Sequence, residues 1–398
     1  MIFLTYWFVL FAAVVLPLIW LLPWPGVRLA LVVAASAVFH THFAGPAGVL
    51  PILVLGLMTY AIGTMRNRRL CALGIGVCVF ALIFYKYTHF VAGELLGSAN
   101  ERLGRALLAV TQPLIPAGPP LAISFFTFEF VHYLYDVRAG SPPIRHPLHF
   151  VAFSIFWPSI VAGPVKRYQQ FLPALQHGLS DVRGPEVPYG AVRVGVGLGK
   201  KFVADNLTAY IGFWDKHFEL ASMTTRWGVV LALGARILLD FSGYSDMAIG
   251  FARMMGVRLP ENFNWPYLAT SMQDFWQRWH ISLSSWIRDY VYVPLGGSRR
   301  GPVRRVLNGM IAFALCGLWH GAAGHFVAWG LYHGAGLAAA SSYASLPGGV
   351  GSRLAELLAR YPIVGWALTF VYVMLGWLAF FYPLARVGSM LRLLLGIG

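Results

Sequence analysis

The sequence predicts an all-α polytopic membrane protein, and three observations carry that prediction. Hydrophobic residues make up 58% of the chain's 398 and charged residues only 11%, where soluble domains average about 25% charge. Apolar runs near the ~20 residues that take a helix across the hydrocarbon core recur along the chain, bounded by Arg, Pro or Gly. The net charge of +15 is scattered in short knots, Arg66-Asn67-Arg68-Arg69, Lys166-Arg167, Lys200-Lys201, Arg299-Arg300 and Arg304-Arg305. That distribution suits cytoplasmic loops beside anionic lipid and excludes nucleic acid as the expected partner. Cys71, Cys78 and Cys316 lie inside apolar runs without a C-x-x-C pair, so they say nothing of redox compartment.

Residues 2–22 lack the basic n-region and cleavage site of a signal peptide and are expected to stay as a first membrane helix. Residues 29–45 and 48–65 follow, set apart by Pro23, Pro25 and Gly26 and then by Gly45 and Pro46. The knot at 66–69 assigns its loop to the cytoplasm and the N-terminus to the outside. A fourth helix covers 70–91. Glu94 to Pro120, with balanced charge and Pro116, Pro119 and Pro120 near its end, reads as an external loop.

Residues 121–137 return inward and hold Glu129 and His132, an E-x-x-H pair on one helix face. In duplicate such a pair holds two metals; no second copy occurs, so no metal is expected. Glu129 and His132 are read as satisfying each other or lining a polar cavity. Residues 148–164, interrupted by Pro158 and followed at once by Lys166 and Arg167, read as a re-entrant segment. GVGLGKK at 195–201 has Val194 and Lys201 where a phosphate loop needs Gly and Ser or Thr, so no nucleotide site is expected. Residues 227–255 form a long helix carrying Asp240, Tyr244 and Asp246. Asp240 and Tyr244, four apart, share a face, and the spacing admits either a structural hydrogen bond or a direct role.

Ser271-Met272-Gln273-Asp274 fits a capping box, so a helix starts near 271 and runs to Pro294 and Gly296. At 100° per residue Phe275, Trp276, Trp279, Leu283, Trp286, Ile287 and Tyr290 fall on one side. Asp274, Gln277, Arg278, Ser285, Arg288 and Asp289 fall on the other. This is an interfacial amphipathic helix, with His280 on its apolar side. By spacing alone His280 is either a histidine satisfied by a backbone carbonyl or a functional one.

The next helix starts after Arg304-Arg305, which puts His320 roughly 22 Å along it at 1.5 Å per residue, past the middle of the hydrocarbon core. Gly317, Gly321, Ala322, Ala323 and Gly324 surround it with little bulk, allowing either close helix packing or a cavity. A packed structural histidine bonded to a carbonyl is the alternative, but an ionisable group at that depth flanked by space points to function. Desolvation favours neutral imidazole, the form that accepts a proton from a hydroxyl.

A series of segments in order then resembles the membrane-bound O-acyltransferase (MBOAT) family, in its bacterial alginate O-acetylation branch. They are ISFFTFEFVHYLYDV (123–137), IVAGPVKRYQQFLPAL (160–175), GLGKKFVADNL (197–207), DFSGYSDMAIG (240–250), PENFNWPY (260–267), FWQRWHISLSSWIRDYVYVPLGG (275–297) and GLWHGA (317–322). The resemblance implies the MBOAT fold, about ten to twelve membrane helices with re-entrant and interfacial helices around a central funnel, donor entering from the cytoplasm and acceptor from outside. It implies that His320 is catalytic and that His280 is the second signature residue. It divides one integral-membrane domain, 1–398, into N-terminal helices (1–115), a catalytic core (116–345) and a C-terminal helix and tail (346–398). The alginate enzymes continue past the segment at 376–396, and in length this chain is nearer to the teichoic acid D-alanyl transfer protein.

The expected function is transfer of a small acyl group, acetyl first, from a cytoplasmic thioester across the bacterial inner membrane to hydroxyls of an exported polysaccharide or to a periplasmic partner acyltransferase. The donor, acetyl-CoA or an acyl carrier protein, is a co-substrate, with no bound cofactor and no metal. His320 is the expected base, and His280 orients it or contacts the donor path. Arg278, Arg288, Asp240, Tyr244, Asp246, Trp319 and Asn262 are assigned to the substrate and donor path, with contact to lipid headgroups the competing role for the two arginines. D-alanyl transfer from a carrier to teichoic acid is the rival enzyme reading. A transporter or channel would show two similar halves, and no internal repeat is present.

Overall fold

The structure, a computed structural model, describes residues 2–115, 119–182, 186–346 and 349–397. All regular structure among them is helical. Among the described residues four helices are long and apolar enough to cross a membrane: Pro25–Met65, Arg68–Ala99, Met223–Met254 and Pro362–Phe381. The chain divides into two compact units, Met1–Leu198 with Tyr244–Pro260, and Gly199–Gly243 with Glu261–Gly398.

In the first unit, α1 (Tyr6–Leu21) starts where the Thr5 side chain accepts from the Phe8 N–H. α2 (Pro25–Met65) is broken at Gly45, whose φ of 65° leaves helical space, so the expected pair of helices at 29–45 and 48–65 stands as two arms of one element. Arg66 in left-handed conformation ends it, and Asn67 caps α3 (Arg68–Leu82) by accepting from Arg69 and Leu70. The expected external loop is largely helical instead. Asn100 caps α4 (Glu101–Thr111), a run of good helix formers. Pro116 of that segment, and the 115/116 division, border or fall on residues outside those described.

Aromatic rings fill the centre of this unit. Trp157 packs against Phe8, Phe11 and Phe251 with centroids 5.6, 5.4 and 5.5 Å away. α5 (Ile123–Ala139) carries Glu129 and His132, which do not satisfy each other. Glu129 pairs with Lys166, both side chains buried, and His132 Nδ1 lies 3.1 Å from the Phe128 carbonyl. Lys166 is therefore an interior cation and not part of an exposed basic knot. The sequence suggests otherwise because its partner lies 37 positions away. α6 (Pro147–Ile155) has nine residues, about 13 Å of helix, too short to cross, as a re-entrant segment requires. Arg28, also buried, donates to the Leu22 and Leu179 carbonyls, the latter at the end of α7 (Tyr168–Ser180).

α8 (Glu186–Lys216) and α9 (Met223–Met254) each contribute to both units. In the second unit they are joined by α10 (Met272–Arg278), α11 (Ile281–Ile287), α12 (Gly301–His320), α13 (Gly324–Ser342), α14 (Val350–Arg360), α15 (Pro362–Phe381) and α16 (Leu384–Leu394). α12 and α13 pack backbone to backbone. A Cβ on Gly317 would lie 2.0 Å from the Phe326 carbonyl oxygen, and one on Gly330 2.0 Å from that of Phe313. Of the small residues near His320, Gly317 thus serves close backbone contact, the packing alternative of the two the sequence allowed.

Two stability predictions follow from these contacts. Lys166→Met or Glu129→Gln alone leaves an unbalanced buried polar group and costs about 3–5 kcal/mol, while the double substitution recovers most of it, measured by thermal unfolding in detergent. Gly330→Ala forces α12 and α13 apart and costs about 1–3 kcal/mol in the same assay.

Candidate active site

The site is built in the second unit on a break in a helix. A single amphipathic helix over 271–293 is not what forms. Ser271 does cap its start, accepting from the Asp274 N–H at 3.1 Å, but α10 ends at Arg278 and α11 begins at Ile281. His280 between them is left-handed, φ 44° and ψ 52°, a conformation costly for a residue with a Cβ.

The cause lies upstream, in residues 262–264. The Asn264 N–H donates to the Arg278 carbonyl and the Ile281 N–H to the Asn262 carbonyl, each at 2.9 Å. The Asn262 side-chain oxygen accepts from the Ser282 N–H at 3.3 Å and from the Ser282 hydroxyl at 2.8 Å. The first N–H groups of α11, which a continuous helix would bond to the preceding turn, are thereby taken by Asn262, and the helix breaks where they leave. The apolar face survives the break: Phe275, Trp276, Trp279, Leu283, Trp286 and Ile287 are all buried.

His280 is fully buried and its Nδ1 lies 3.1 Å from Asn262 Oδ1. A side-chain amide, not the backbone carbonyl that the sequence offered, thus satisfies one ring nitrogen. The Phe241 ring stands 4.6 Å away, nearly perpendicular. Burial, and after it the neighbouring His320, lower the His280 pKa well below the usual imidazole value, so the ring is neutral.

His320 is the last residue of α12. Gly321 is extended, and α13 begins three residues on, so the imidazole sits at a tight helical hairpin and not partway along a helix that continues. It is half-buried, ringed by Trp319 at 4.8 Å, Trp329 at 5.2 Å and Phe380 at 5.2 Å. The His280 and His320 rings lie 6.4 Å apart, centroid to centroid, at 63°. That separation exceeds a direct bond between imidazoles and suits one bridging oxygen. The two sequence-selected histidines thus share one site, with Trp319 and Asn262 beside them.

The other expected path residues divide. Arg278 bonds Asp274 at 2.6 Å and reaches the Asn264 carbonyl, bracing the break. Arg288 is exposed and pairs with Asp289 at 2.7 Å. Asp240 pairs with Lys201 at 2.8 Å, next in sequence to the Phe241 that touches His280. Tyr244, expected to share a face with Asp240, belongs to the first unit with Asp246. There Tyr244 stacks on Phe3 at 4.7 Å and Asp246 pairs with Arg193 at 2.6 Å.

Sequence reasoning missed Phe241, Trp329, Phe380 and Lys201, since aromatic residues abound here and a partner across helices leaves no spacing signal. It missed a groove as well, of about 490 Å³, floored by Ile281, Ala312, Phe313 and Cys316, with Arg288 and Arg305 in its lining. Arg305, Gly309, Ala312, Phe313 and Cys316 of that lining form one stripe of α12, and the helical repeat puts His320 next along it, one turn beyond Cys316. Among the described residues no group of three His, Cys, Asp or Glu is placed to hold a metal.

Residues 119–385 match the MBOAT, membrane-bound O-acyltransferase family. The chain is 38% identical over 332 residues to the probable alginate O-acetylase AlgI of Pseudomonas aeruginosa, covering 82% of this chain and 60% of that protein. It is 32% identical over 359 residues to the peptidoglycan O-acetyltransferase of Helicobacter pylori, with 82% and 64% covered. To the teichoic acid D-alanyltransferase of Bacillus subtilis it is 31% identical over 231 residues, with 54% and 56% covered. The chain thus spans about 60% of the length of the alginate relatives it matches. With a family match over most of its length and helices long enough to cross a membrane, the chain is a multi-pass membrane protein that belongs to the membrane-bound O-acyltransferase family.

Proposed function

We propose that the chain is an O-acyltransferase of the bacterial inner membrane. It moves a small acyl group, acetyl first, from a cytoplasmic thioester to a hydroxyl of an exported polysaccharide or of a partner protein. The observation that carries this reading is the pair of imidazoles 6.4 Å apart, one neutral and buried and the other half-buried at a helix end. A half-buried imidazole is reachable by substrate and suits general-base work.

In the proposed reaction His320 takes the proton of the acceptor hydroxyl as its oxygen bonds to the thioester carbonyl carbon. The carbon–sulfur bond then breaks, and the departing thiolate takes the proton from the His320 imidazolium. The aromatic wall of Trp319, Trp329 and Phe380 limits water, which would otherwise compete as acceptor. The groove along α12 supports a donor approach. Coenzyme A and a carrier's phosphopantetheine arm both carry phosphate at the end remote from the thioester, which suits Arg288 and Arg305, while the stripe from Arg305 leads toward His320. The relatives named for alginate and peptidoglycan favour acetyl and a glycan acceptor. D-alanyl transfer from a carrier to teichoic acid is the second reading, favoured by the similarity to the B. subtilis protein.

The test uses inside-out membrane vesicles supplied with radiolabelled acetyl-CoA or acetyl-carrier protein and an enclosed glycan acceptor. Wild-type vesicles release free thiol and label the glycan, and His320→Ala lowers the rate about 100-fold or more. Arg288→Glu raises the KM for the donor and leaves kcat unchanged. Label that enters the lumen without joining any acceptor contradicts acyl transfer and favours transport.

A further inference from the structure

Several buried polar atoms of the second unit lack a hydrogen-bond partner, and one of them belongs to the site. His280 Nε2 is shut from solvent and has no hydrogen-bond partner. A buried polar atom left this way is costly, and at a functional site it marks where something else binds.

The protonation of the ring follows from its neighbours. The Asn262 side-chain atom that faces His280 also faces the Ser282 N–H at 3.3 Å and the Ser282 hydroxyl at 2.8 Å. A backbone N–H can only donate, so that atom is the amide oxygen and not its nitrogen. His280 Nδ1, 3.1 Å from the same oxygen, must then carry hydrogen. A neutral imidazole has one N–H, so Nε2 holds a lone pair. Asn262 is itself buried, and turning its amide over would set an N–H donor against the Ser282 N–H.

We propose that Asn262 is a positioning residue. It locks His280 in the Nδ1–H tautomer, so that Nε2 is a fixed acceptor for an O–H donor held between the two imidazoles. During turnover that donor is the acceptor hydroxyl, an identification that rests on the acyl-transfer reading. The tautomer assignment does not. His280 then aligns the hydroxyl by its lone pair while His320 removes the proton, a division of labour that two equivalent bases would not give. The left-handed backbone at His280 fits this role, because Asn262 both breaks the helix and holds the ring.

The experiment is nitrogen NMR of the full chain, with histidine ring nitrogens isotope-labelled and His280 assigned by the signal lost in His280→Gln, beside vesicle kinetics. Wild type shows hydrogen on Nδ1 and a bare Nε2. Asn262→Ala gives a mixed or reversed tautomer and lowers kcat about tenfold or more with donor KM unchanged, the size typical of losing a partner that orients a functional imidazole. Asn262→Asp keeps an oxygen facing Nδ1 and restores that tautomer and more of the rate than alanine does. Hydrogen on Nε2 in the wild type overturns the proposal, as does an Asn262→Ala protein with the wild-type tautomer. Should the alanine variant not fold, the wild-type and aspartate spectra decide. A wild type with the assigned tautomer but no acyl transfer to any acceptor sinks the functional reading and leaves the positioning role standing.

Discussion

The side-chain amide of Asn262 is the contact on which the second unit's site depends. Its oxygen and its backbone carbonyl together take the His280 ring and the first N–H groups of α11. Without that capture, residues 271–293 would continue as one helix, and His280 would be a side chain on a long apolar face. With it, the backbone turns through left-handed space, a cost the several hydrogen bonds offset. The strain is local and stands against the other histidine, as strained residues at functional sites do.

His320 is held by a different constraint, backbone packing. Gly317 and Gly330 let α12 and α13 approach so closely that a Cβ at either position would lie 2.0 Å from a carbonyl oxygen of the other helix. The hairpin between them is then short, and the last residue of α12 is left at its tip with aromatic rings on several sides. One helix end and one helix break therefore bring two imidazoles to a separation that one oxygen can bridge. The same helix carries a stripe of small and apolar residues away from His320 toward Arg305, so the element that places the base also lines a path to it.

Much of this was legible in the sequence wherever local chemistry decides structure. The Gly45 break, the Ser271 cap and a helix too short to cross within the segment read as re-entrant follow from turn residues, caps and length. What failed depends on partners remote in sequence. The α10–α11 break is caused by a residue 18 positions upstream of His280. The Glu129 partner is Lys166 and not the nearby His132. A wheel drawn at 100° per residue cannot register any of these, because each replaces a local hydrogen bond by a tertiary one. The glycines near His320 were readable as small, but their use in packing shows only once Phe313 and Phe326 are placed.

The central claim, acyl transfer resting on His320, is tested most directly in cells. The measurement is the O-acyl content of exported polysaccharides, by mass spectrometry, in strains with wild-type protein, His320→Ala at matched membrane level, or no protein. The account predicts equal loss of O-acyl groups in the mutant and the deletion strain. Full acylation in the mutant, with loss only in the deletion strain, would contradict it and reduce His320 to a structural residue.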